Sequence, residues 1–269
     1  MVNHLKQFFV LEKVTTNNIR VSLCLHPTLI DKLHKGYTEV LDKLQSVIYR
    51  DRVEAGNHLA KVLEPVIETQ TKDSIQRDIL VVAIPRGGVI VGDIIASNLG
   101  TKLDIVVSRK IGSPENPEFA IGAVMPDGNY FLKDVVDSFN ISREYVEQEA
   151  RDQLKEIHRR LISYRGTIDY DKEFADKIVV LVDDGIATGA TLMASAQWIK
   201  SSFNCRRLVI AVPVAPPSIL NDLKYFADNV IVPFTPDPFM AIGRFYRIFD
   251  QVSDEQVKKI MKKYGYNVS

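Results

Sequence analysis

Short, mostly apolar runs recur along the chain from residue 79 onward, separated by stretches whose apolar residues are spaced as on a helix. Apolar runs of this kind, bounded by turn residues, are typical of strands that are buried on both faces. The predicted strands are Ile79–Ile84, Leu103–Ser108, Ile178–Val182, Leu208–Val212 and Val230–Val232. Because strands alternate with helices, the pattern predicts an α/β fold with a mainly parallel sheet and right-handed crossovers.

Helix signals fill the intervals between the strands. Ser142 can cap a long charged helix that runs to about Tyr164, and Ser253 with Gln256 forms a capping box for a final helix. Turn residues at 127–129, between two further apolar runs, predict a hairpin of residues 120–125 and 130–132. Other predicted helices are Val89–Leu99, one ending near Lys200, and Pro216–Phe226.

The first 48 residues carry no chemical motif. From Pro27 to Ile48 the apolar positions recur at helical spacing. We therefore expect residues 1–48 to form a helical arm, packed on the main domain or on a second subunit, and residues 49–269 to form that main domain.

Composition limits the range of partners. The chain has 269 residues, with 34 Lys and Arg against 34 Asp and Glu, so the basic excess usual in nucleic-acid binding is missing. Cys24 and Cys205 are too isolated for a disulfide framework or a zinc site. No stretch approaches the roughly 18 apolar residues of a spanning helix. We expect a cytoplasmic protein that binds neither nucleic acid nor membrane.

The most specific segment, DDGIATGAT, follows the predicted strand Ile178–Val182. Its glycines permit a tight loop, and successive backbone N–H groups at a helix N-terminus can converge on a phosphate. The adjacent carboxylates can accept hydrogen bonds from a diol such as that of ribose. The segment therefore predicts a ribose 5-phosphate site, with the binding residues Asp183, Asp184, Gly185, Ala187, Thr188, Gly189, Ala190 and Thr191.

Other phosphate-binding loops do not match this segment. A Walker loop would end in Gly-Lys-Ser/Thr, and a dinucleotide fingerprint would contain G-x-G-x-x-G. The remaining alternative is an ordinary strand-to-helix turn with capping acids. Two adjacent aspartates in the whole pattern make that alternative the weaker one.

Asp183–Thr191 resembles the signature that type I phosphoribosyltransferases use to bind 5-phosphoribosyl-1-pyrophosphate (PRPP). The resemblance to a branch of predicted phosphoribosyltransferases extends over nearly everything after Tyr49. The segments that carry it are Tyr49–Arg52, Pro85–Gly88, Arg109–Gly112, Pro213–Pro217 and Gly243–Tyr246.

The resemblance implies a fold and a reaction. The fold would be a five-stranded parallel core with helices around it, a flexible loop over the active site and a small hood that receives the acceptor base. PRPP would arrive with Mg²⁺, so that no residue is assigned as a direct metal ligand. The partners would be PRPP and a small-molecule base, and we expect a homodimer.

A second motif, Ile84–Val89, follows the first predicted strand. The N–H groups of Gly87 and Gly88 can approach a pyrophosphate closely, and Arg86 adds a positive charge. In the family the matching loop often contains a cis peptide, which the resemblance assigns to the bond between Arg86 and Gly87. The alternative is a tight turn with an exposed arginine.

A third motif pairs Arg109 and Lys110 at a predicted strand end, before a long loop. The two cations fit a lid that closes over departing pyrophosphate. With Arg86 they are the candidate catalytic residues, because positive charge offsets the charge that builds on the leaving group. A surface loop with a chance basic pair is the alternative.

Aromatic residues near the chain end form a fourth motif. Phe239 and Tyr246 can stack on a nucleobase and Arg244 can contact its edge, so these three are candidate base-binding residues. Core packing is the alternative, and we favour it for at least two of Phe239, Phe245 and Tyr246.

The predicted reaction transfers ribose 5-phosphate from PRPP to a nitrogenous base, with release of pyrophosphate. Family members that act on hypoxanthine and guanine typically carry an aspartate at the position of Ala187. Its absence speaks against those two purines without naming another base. The alternative function is a PRPP-sensing regulator without turnover. We also expect Asp183 and Asp184 to face solvent in the empty site, so that neutralising both leaves the fold intact.

Overall fold

The computed structural model describes residues 47–68, 78–117, 119–132, 140–170 and 174–268. These residues contain the strands β1 (Ile79–Ala83), β2 (Lys102–Ile105), β3 (Arg109–Gly112), β4 (Ala120–Val124), β5 (Tyr130–Leu132), β6 (Ile178–Val182), β7 (Arg207–Ala211) and β8 (Asn229–Ile231). Five of them form one parallel sheet in the order β2-β1-β6-β7-β8. This confirms the predicted α/β fold.

The central strands are apolar throughout because each face of the sheet is covered. In β1, Ile79, Val81 and Ala83 belong to one hydrophobic cluster, whereas Leu80 and Val82 belong to another. Successive side chains of a strand point to opposite faces, so a strand between two helical layers needs apolar residues at every position.

Helices supply both outer layers. They are α1 (Arg52–Glu68), α2 (Gly87–Leu99), α3 (Arg143–Arg165), α4 (Ala190–Ser202), α5 (Leu220–Phe226) and α6 (Asp254–Lys263). Buried residues of α1, α2, α3 and α6 join one cluster, and those of α4 and α5 join the other. Ser142 accepts a hydrogen bond from the backbone N–H of Tyr145, and Ser253 forms the capping box with Gln256, so both predicted caps are present.

A second, antiparallel sheet has the order β3-β4-β5. The hairpin of β4 and β5 was predicted, but β3 was not. The predicted strand Leu103–Ser108 is present as β2 but is shorter than predicted, because β2 ends at Ile105. Val106 and Val107 are buried beyond the end of β2. Val106 still donates its backbone N–H to the carbonyl of Ala83 at 3.0 Å, but neither valine belongs to β2. Burial therefore extends the apolar run beyond the strand.

A buried ion pair fixes α3 to the edge strand β2. The Arg165 guanidinium donates to both carboxylate oxygens of Asp104, at 2.7 and 2.9 Å, and both side chains are less than 5% exposed. The same guanidinium lies over the ring of Tyr170. This pair anchors the C-terminal end of α3, the helix that packs on the small sheet.

A third hydrophobic cluster joins the start of the described chain to a segment near its end. Tyr49 and Tyr246 are its buried aromatics together with Phe245, and the backbones of Tyr49 and Tyr246 form an isolated parallel bridge. The predicted arm at residues 1–48 lies outside the described residues except for Val47 and Ile48. Among the helices that the structure describes, none has the length and apolar character to cross a membrane.

Candidate active site

The two glycine-containing loops lie side by side because β1 and β6 are neighbouring strands. Ala83 and Val182 are paired at the carboxyl ends of these strands. A methyl group at Gly87 would collide with the carboxylate of Asp184, and one at Gly88 would lie 2.9 Å from the Cα of Asp183. The glycines are therefore required for close packing of the two loops, which is a tertiary reason that the sequence did not reveal.

Each loop leads into a helix whose N-terminus has no side-chain cap. Neither α2 nor α4 has a side-chain cap or an acidic residue in its first turn. The first N–H groups of a helix have no partner within it, and the helix dipole adds partial positive charge there. Gly189 adopts φ +70° just before α4, while Ala187 and Thr188 are exposed on the loop. Two potential anion sites therefore lie at adjacent positions on one sheet edge.

Gly189→Ala is expected to lower the free energy of unfolding by about 2 kcal/mol. The left-handed conformation alone costs a residue with a Cβ about 1–2 kcal/mol, and the added methyl would also collide with Ile219. Gly265→Ala is the matched control, since Gly265 has φ +88° with nothing within 4 Å of its Cβ position. Urea denaturation of both variants measures the difference, and an equal loss in the two would contradict a packing role for Gly189.

The two aspartates have different surroundings. Asp184 is 9% exposed, and its Oδ2 accepts a hydrogen bond of 2.8 Å from Nε of Arg52. Asp183 is partly buried, and its Oδ1 accepts the backbone N–H of Asp184 at 2.8 Å. Burial, followed by the neighbouring charge of Asp184, raises the pKa of Asp183 well above its usual range.

The expectation that both carboxylates face solvent was therefore wrong for Asp184. Its carboxylate is enclosed by Arg52 and the Gly87 backbone. Sequence reasoning missed Arg52, although Tyr49–Arg52 was among the segments that carried the family resemblance. Arg52 and Asp184 are 132 positions apart, so no local pattern indicates their contact.

Arg86 faces the C-terminal helix. Its Nη1 lies 3.2 Å from Oδ1 of Asp254, the first residue of α6, and the Tyr164 hydroxyl donates to the same oxygen at 2.7 Å. The resemblance placed a cis bond after Arg86, whereas the structure has it one bond earlier, between Pro85 and Arg86. The sequence carries no local signal for the position of a cis bond that does not precede proline.

Arg109 and Lys110 lie within β3 and not at the end of a strand of the large sheet. Nε of Arg109 donates to the side-chain oxygen of Gln153 on α3. Burial and then the nearby Arg160 lower the pKa of Arg109. The structure thus brings Asp183, Asp184 and the Gly87–Gly88 loop together, while Arg86 and Arg109 are engaged by other helices.

Comparison with known proteins assigns the family. The sequence profile of the phosphoribosyl transferase domain matches residues 50–232. The chain belongs to the phosphoribosyltransferase family. Two Mycobacterium tuberculosis proteins, from strains CDC 1551 and H37Rv, are each 36% identical to it over 211 residues and are provisionally named phosphoribosyl transferases. The matched region is 78% of this chain and 45% of each relative, so this chain spans less than half their length.

A solved structure has a similar fold. The protein TT1426 of Thermus thermophilus is 37% identical, with a TM-score of 0.67 over 80% of this chain and 98% of that one. The five-stranded parallel sheet flanked by helices is the type I fold of the phosphoribosyltransferase family.

The candidate base-binding residues have different exposures. Tyr246 is 4% exposed between the rings of Tyr49 and Phe249, and its hydroxyl donates to the backbone carbonyl of Asp184 at 2.6 Å. In this arrangement its ring is packed against both neighbours and is not available to stack on a base, so core packing explains its aromatic character. Phe239 is half-buried against Phe245, and Arg244 is exposed.

The described part of the chain contains no cluster of three or more His, Cys, Asp or Glu side chains suited to a metal ion. The site offers carboxylate oxygens from Asp183 and Asp184, and one of those oxygens is bound by Arg52. Mg²⁺ prefers oxygen ligands and usually retains several waters. This donor set is too small to enclose a magnesium ion, but it is compatible with one that a substrate carries.

Proposed function

We propose that this phosphoribosyltransferase transfers ribose 5-phosphate from PRPP to a nitrogenous base and releases pyrophosphate. One observation supports the proposal most strongly. Two uncapped helix N-termini lie at the carboxyl ends of neighbouring strands, and the acid pair Asp183–Asp184 lies between them. PRPP has the matching chemistry, since it carries phosphate groups at two ends of a sugar that displays two hydroxyls.

Each part of PRPP has a counterpart in the site. The 5-phosphate would bind the N–H groups of residues 187–191 and the hydroxyls of Thr188 and Thr191. The pyrophosphate would bind the N–H groups of Gly87 and Gly88 at the start of α2. The ribose between them would donate its hydroxyls to the acid pair. Because the loops are in contact, one ligand of this size reaches both.

Catalysis would depend mainly on positioning. The anomeric carbon would gain positive character as the bond to pyrophosphate breaks, and no covalent nucleophile is needed. Arg86, Arg109 and Lys110 are the cations proposed to offset charge on the leaving group. Mg²⁺ bound to PRPP would neutralise part of that same charge. Arg86 and Arg109 must leave Asp254 and Gln153 to act in this way, which requires local rearrangement when PRPP binds.

The acceptor would be a base other than hypoxanthine or guanine. Ala187 is exposed on the phosphate loop and has no group that exchanges a proton with a purine. Arg244 and Phe239, in the segment next to the third cluster, remain the proposed contacts for the acceptor. The related mycobacterial proteins are more than twice as long as the region that matches this chain. The activity of a whole protein of that length is therefore likewise proposed and not shown.

Pyrophosphate release is the direct test. Protein, PRPP and Mg²⁺ are incubated with a panel of nucleobases and other nitrogenous bases, and released pyrophosphate is measured. We expect release with at least one base and little with guanine or hypoxanthine, and none above background with Asp183→Asn. High kcat/KM with guanine would contradict the acceptor proposal, whereas no saturable binding of PRPP in calorimetry would contradict the proposed function as a whole.

A PRPP-sensing protein without turnover is the second candidate. Two of the proposed catalytic cations already have other partners, since Arg86 donates to Asp254 and Arg109 donates to Gln153. Cations held in this way favour a protein that binds PRPP without turnover. The two functions differ in one result, because a sensor would bind PRPP in calorimetry and release no pyrophosphate with any base. A gel-shift assay with RNA and DNA at several salt concentrations would then test for a regulated nucleic acid.

A further inference from the structure

Arg52 is a buried cation at the centre of the candidate site. Among the described residues, the buried arginines are Arg52, which is 9% exposed, and Arg165, which is 5% exposed. Arg52 begins α1, and its Nε donates to Oδ2 of Asp184 at 2.8 Å. The Cβ position of Gly87 lies 3.1 Å from the same Nε. One guanidinium therefore contacts both glycine-containing loops.

The rest of the guanidinium is held by the segment before α6. Nη1 of Arg52 donates to the backbone carbonyl of Asp250 at 2.9 Å, and its Cζ lies 3.8 Å above the ring centre of Phe249. The ring of Tyr246 is stacked on that of Phe249, with 4.9 Å between the ring centroids. The Tyr246 hydroxyl donates to the backbone carbonyl of Asp184. Both the side chain and the backbone of Asp184 are thus fixed by residues outside the loop.

This arrangement distinguishes the two acids. Arg52 bonds the carboxylate of Asp184, whereas the carboxylate of Asp183 accepts the backbone N–H of Asp184. A carboxylate already bound to a rigid guanidinium has one defined direction and a reduced capacity for further donors. The geometry points to Arg52 as a positioning residue, which orients Asp184 and leaves Asp183 as the principal acceptor for a sugar hydroxyl. This inference rests on the proposed binding of PRPP.

A charge argument supports the same role. PRPP carries several negative charges, and two adjacent aspartates repel such a ligand. The positive charge of Arg52, in a water-poor position beside both loops, offsets this repulsion more strongly than an exposed cation would. Loss of Arg52 is therefore expected to weaken PRPP binding in two ways, by freeing the Asp184 side chain and by leaving its charge uncompensated.

The test compares Arg52→Met with Arg165→Met. Both changes remove a buried arginine from an ion pair, but Arg165 pairs with Asp104 on the edge strand β2 and donates to the backbone carbonyls of Thr167 and Asp169, whereas Arg52 pairs with Asp184 in the loop. PRPP affinity is measured by calorimetry with Mg²⁺, at a temperature where circular dichroism shows each variant folded. We expect about 10-fold weaker binding for Arg52→Met, an effect usual for coupled neighbours, and affinity within about 2-fold of wild type for Arg165→Met.

Two further variants test whether Arg52 acts through Asp184. In Arg52→Lys the charge is kept without the planar guanidinium, so binding should recover in part. In Asp184→Asn, addition of Arg52→Met should cause little further loss, since the residue to be positioned is already altered.

Three outcomes would overturn the inference while leaving the proposed function intact. Unchanged affinity in folded Arg52→Met would make the residue purely structural, and equal losses in Arg52→Met and Arg165→Met would indicate general destabilisation. Fully additive losses for Arg52→Met and Asp184→Asn would show that Arg52 does not act through Asp184. If wild-type protein fails to bind PRPP while these variants fold, the proposed function fails and the inference fails with it.

Discussion

Replacement of Asp183 by asparagine is expected to weaken PRPP binding by about 100-fold, since a hydrogen bond to a charged group is worth about 1.5–3 kcal/mol. The same change should stabilise the empty protein at neutral pH. Asp183 bears a carboxylate whose charged form is disfavoured by burial and by Asp184. Asparagine keeps an oxygen that can accept the N–H of Asp184 but carries no charge. Binding and stability should therefore change in opposite directions.

The pH dependence of unfolding tests whether the Asp183 carboxylate destabilises the folded protein. The pKa of Asp183 is raised in the folded protein, so between its ordinary value, about 4, and the raised value the folded state holds a proton that the unfolded state releases. Stability that is present below the ordinary pKa is consequently lost as pH rises through this window. Urea denaturation from pH 4 to pH 8 should show that loss in wild type and a smaller one in Asp183→Asn. A destabilised Asp183→Asn protein at pH 7 would contradict this prediction.

Replacement of the neighbouring acid should have the opposite effect on the fold. Asp184→Asn is expected to lower the free energy of unfolding by about 3 kcal/mol, the usual loss when one partner of a buried ion pair is removed. The reason is that the guanidinium of Arg52 stays buried without a counter-charge. Guanidinium chloride or urea denaturation at pH 7 measures the loss, and the exposed acid variant Glu115→Gln should stay within about 0.5 kcal/mol of wild type.

The double variant Arg52→Met with Asp184→Asn shows why Asp184→Asn loses stability. If the unpaired charge destabilises Asp184→Asn, removal of that charge should restore part of the lost stability, because an apolar side chain of similar length can replace a buried ion at little cost. A double variant less stable than Asp184→Asn by the full effect of Arg52→Met would instead show that the two residues contribute independently.

The opposite signs expected for Asp183 and Asp184 have no counterpart in the sequence. Both residues are aspartates in one loop, and sequence reasoning treated them alike. They differ because Arg52, which lies 132 positions before Asp184 in the chain, donates a hydrogen bond to the Asp184 carboxylate. Tyr246 is a similar case, since an aromatic near the chain end is compatible with base stacking or with core packing, and its neighbours Tyr49 and Phe249 decide for the core.

The prediction of the strands succeeded where burial and strand pairing coincide, and failed where they do not. β1 and β6 are paired along their whole apolar runs, whereas the run that starts at Leu103 remains apolar after β2 ends. The lid cations were affected by the same error, since Arg109 and Lys110 belong to a strand of the small sheet. Antiparallel pairing between β3 and β4 depends on contacts across a loop, and a short segment with two cations gives no strand signal.

The sequence by itself determined the five strands of the parallel sheet, the helices between them and the glycine-containing loop at residues 183–191 that is proposed to bind phosphate. These features depend on the period of apolar residues and on glycine and capping positions, which act over a few neighbouring residues. The tertiary structure alone decided which charges meet, namely Arg52 with Asp184, Arg86 with Asp254 and Arg165 with Asp104. Such pairs join segments distant in the chain, and the Coulomb energy that selects them depends on distance and burial, which exist only once the chain has folded.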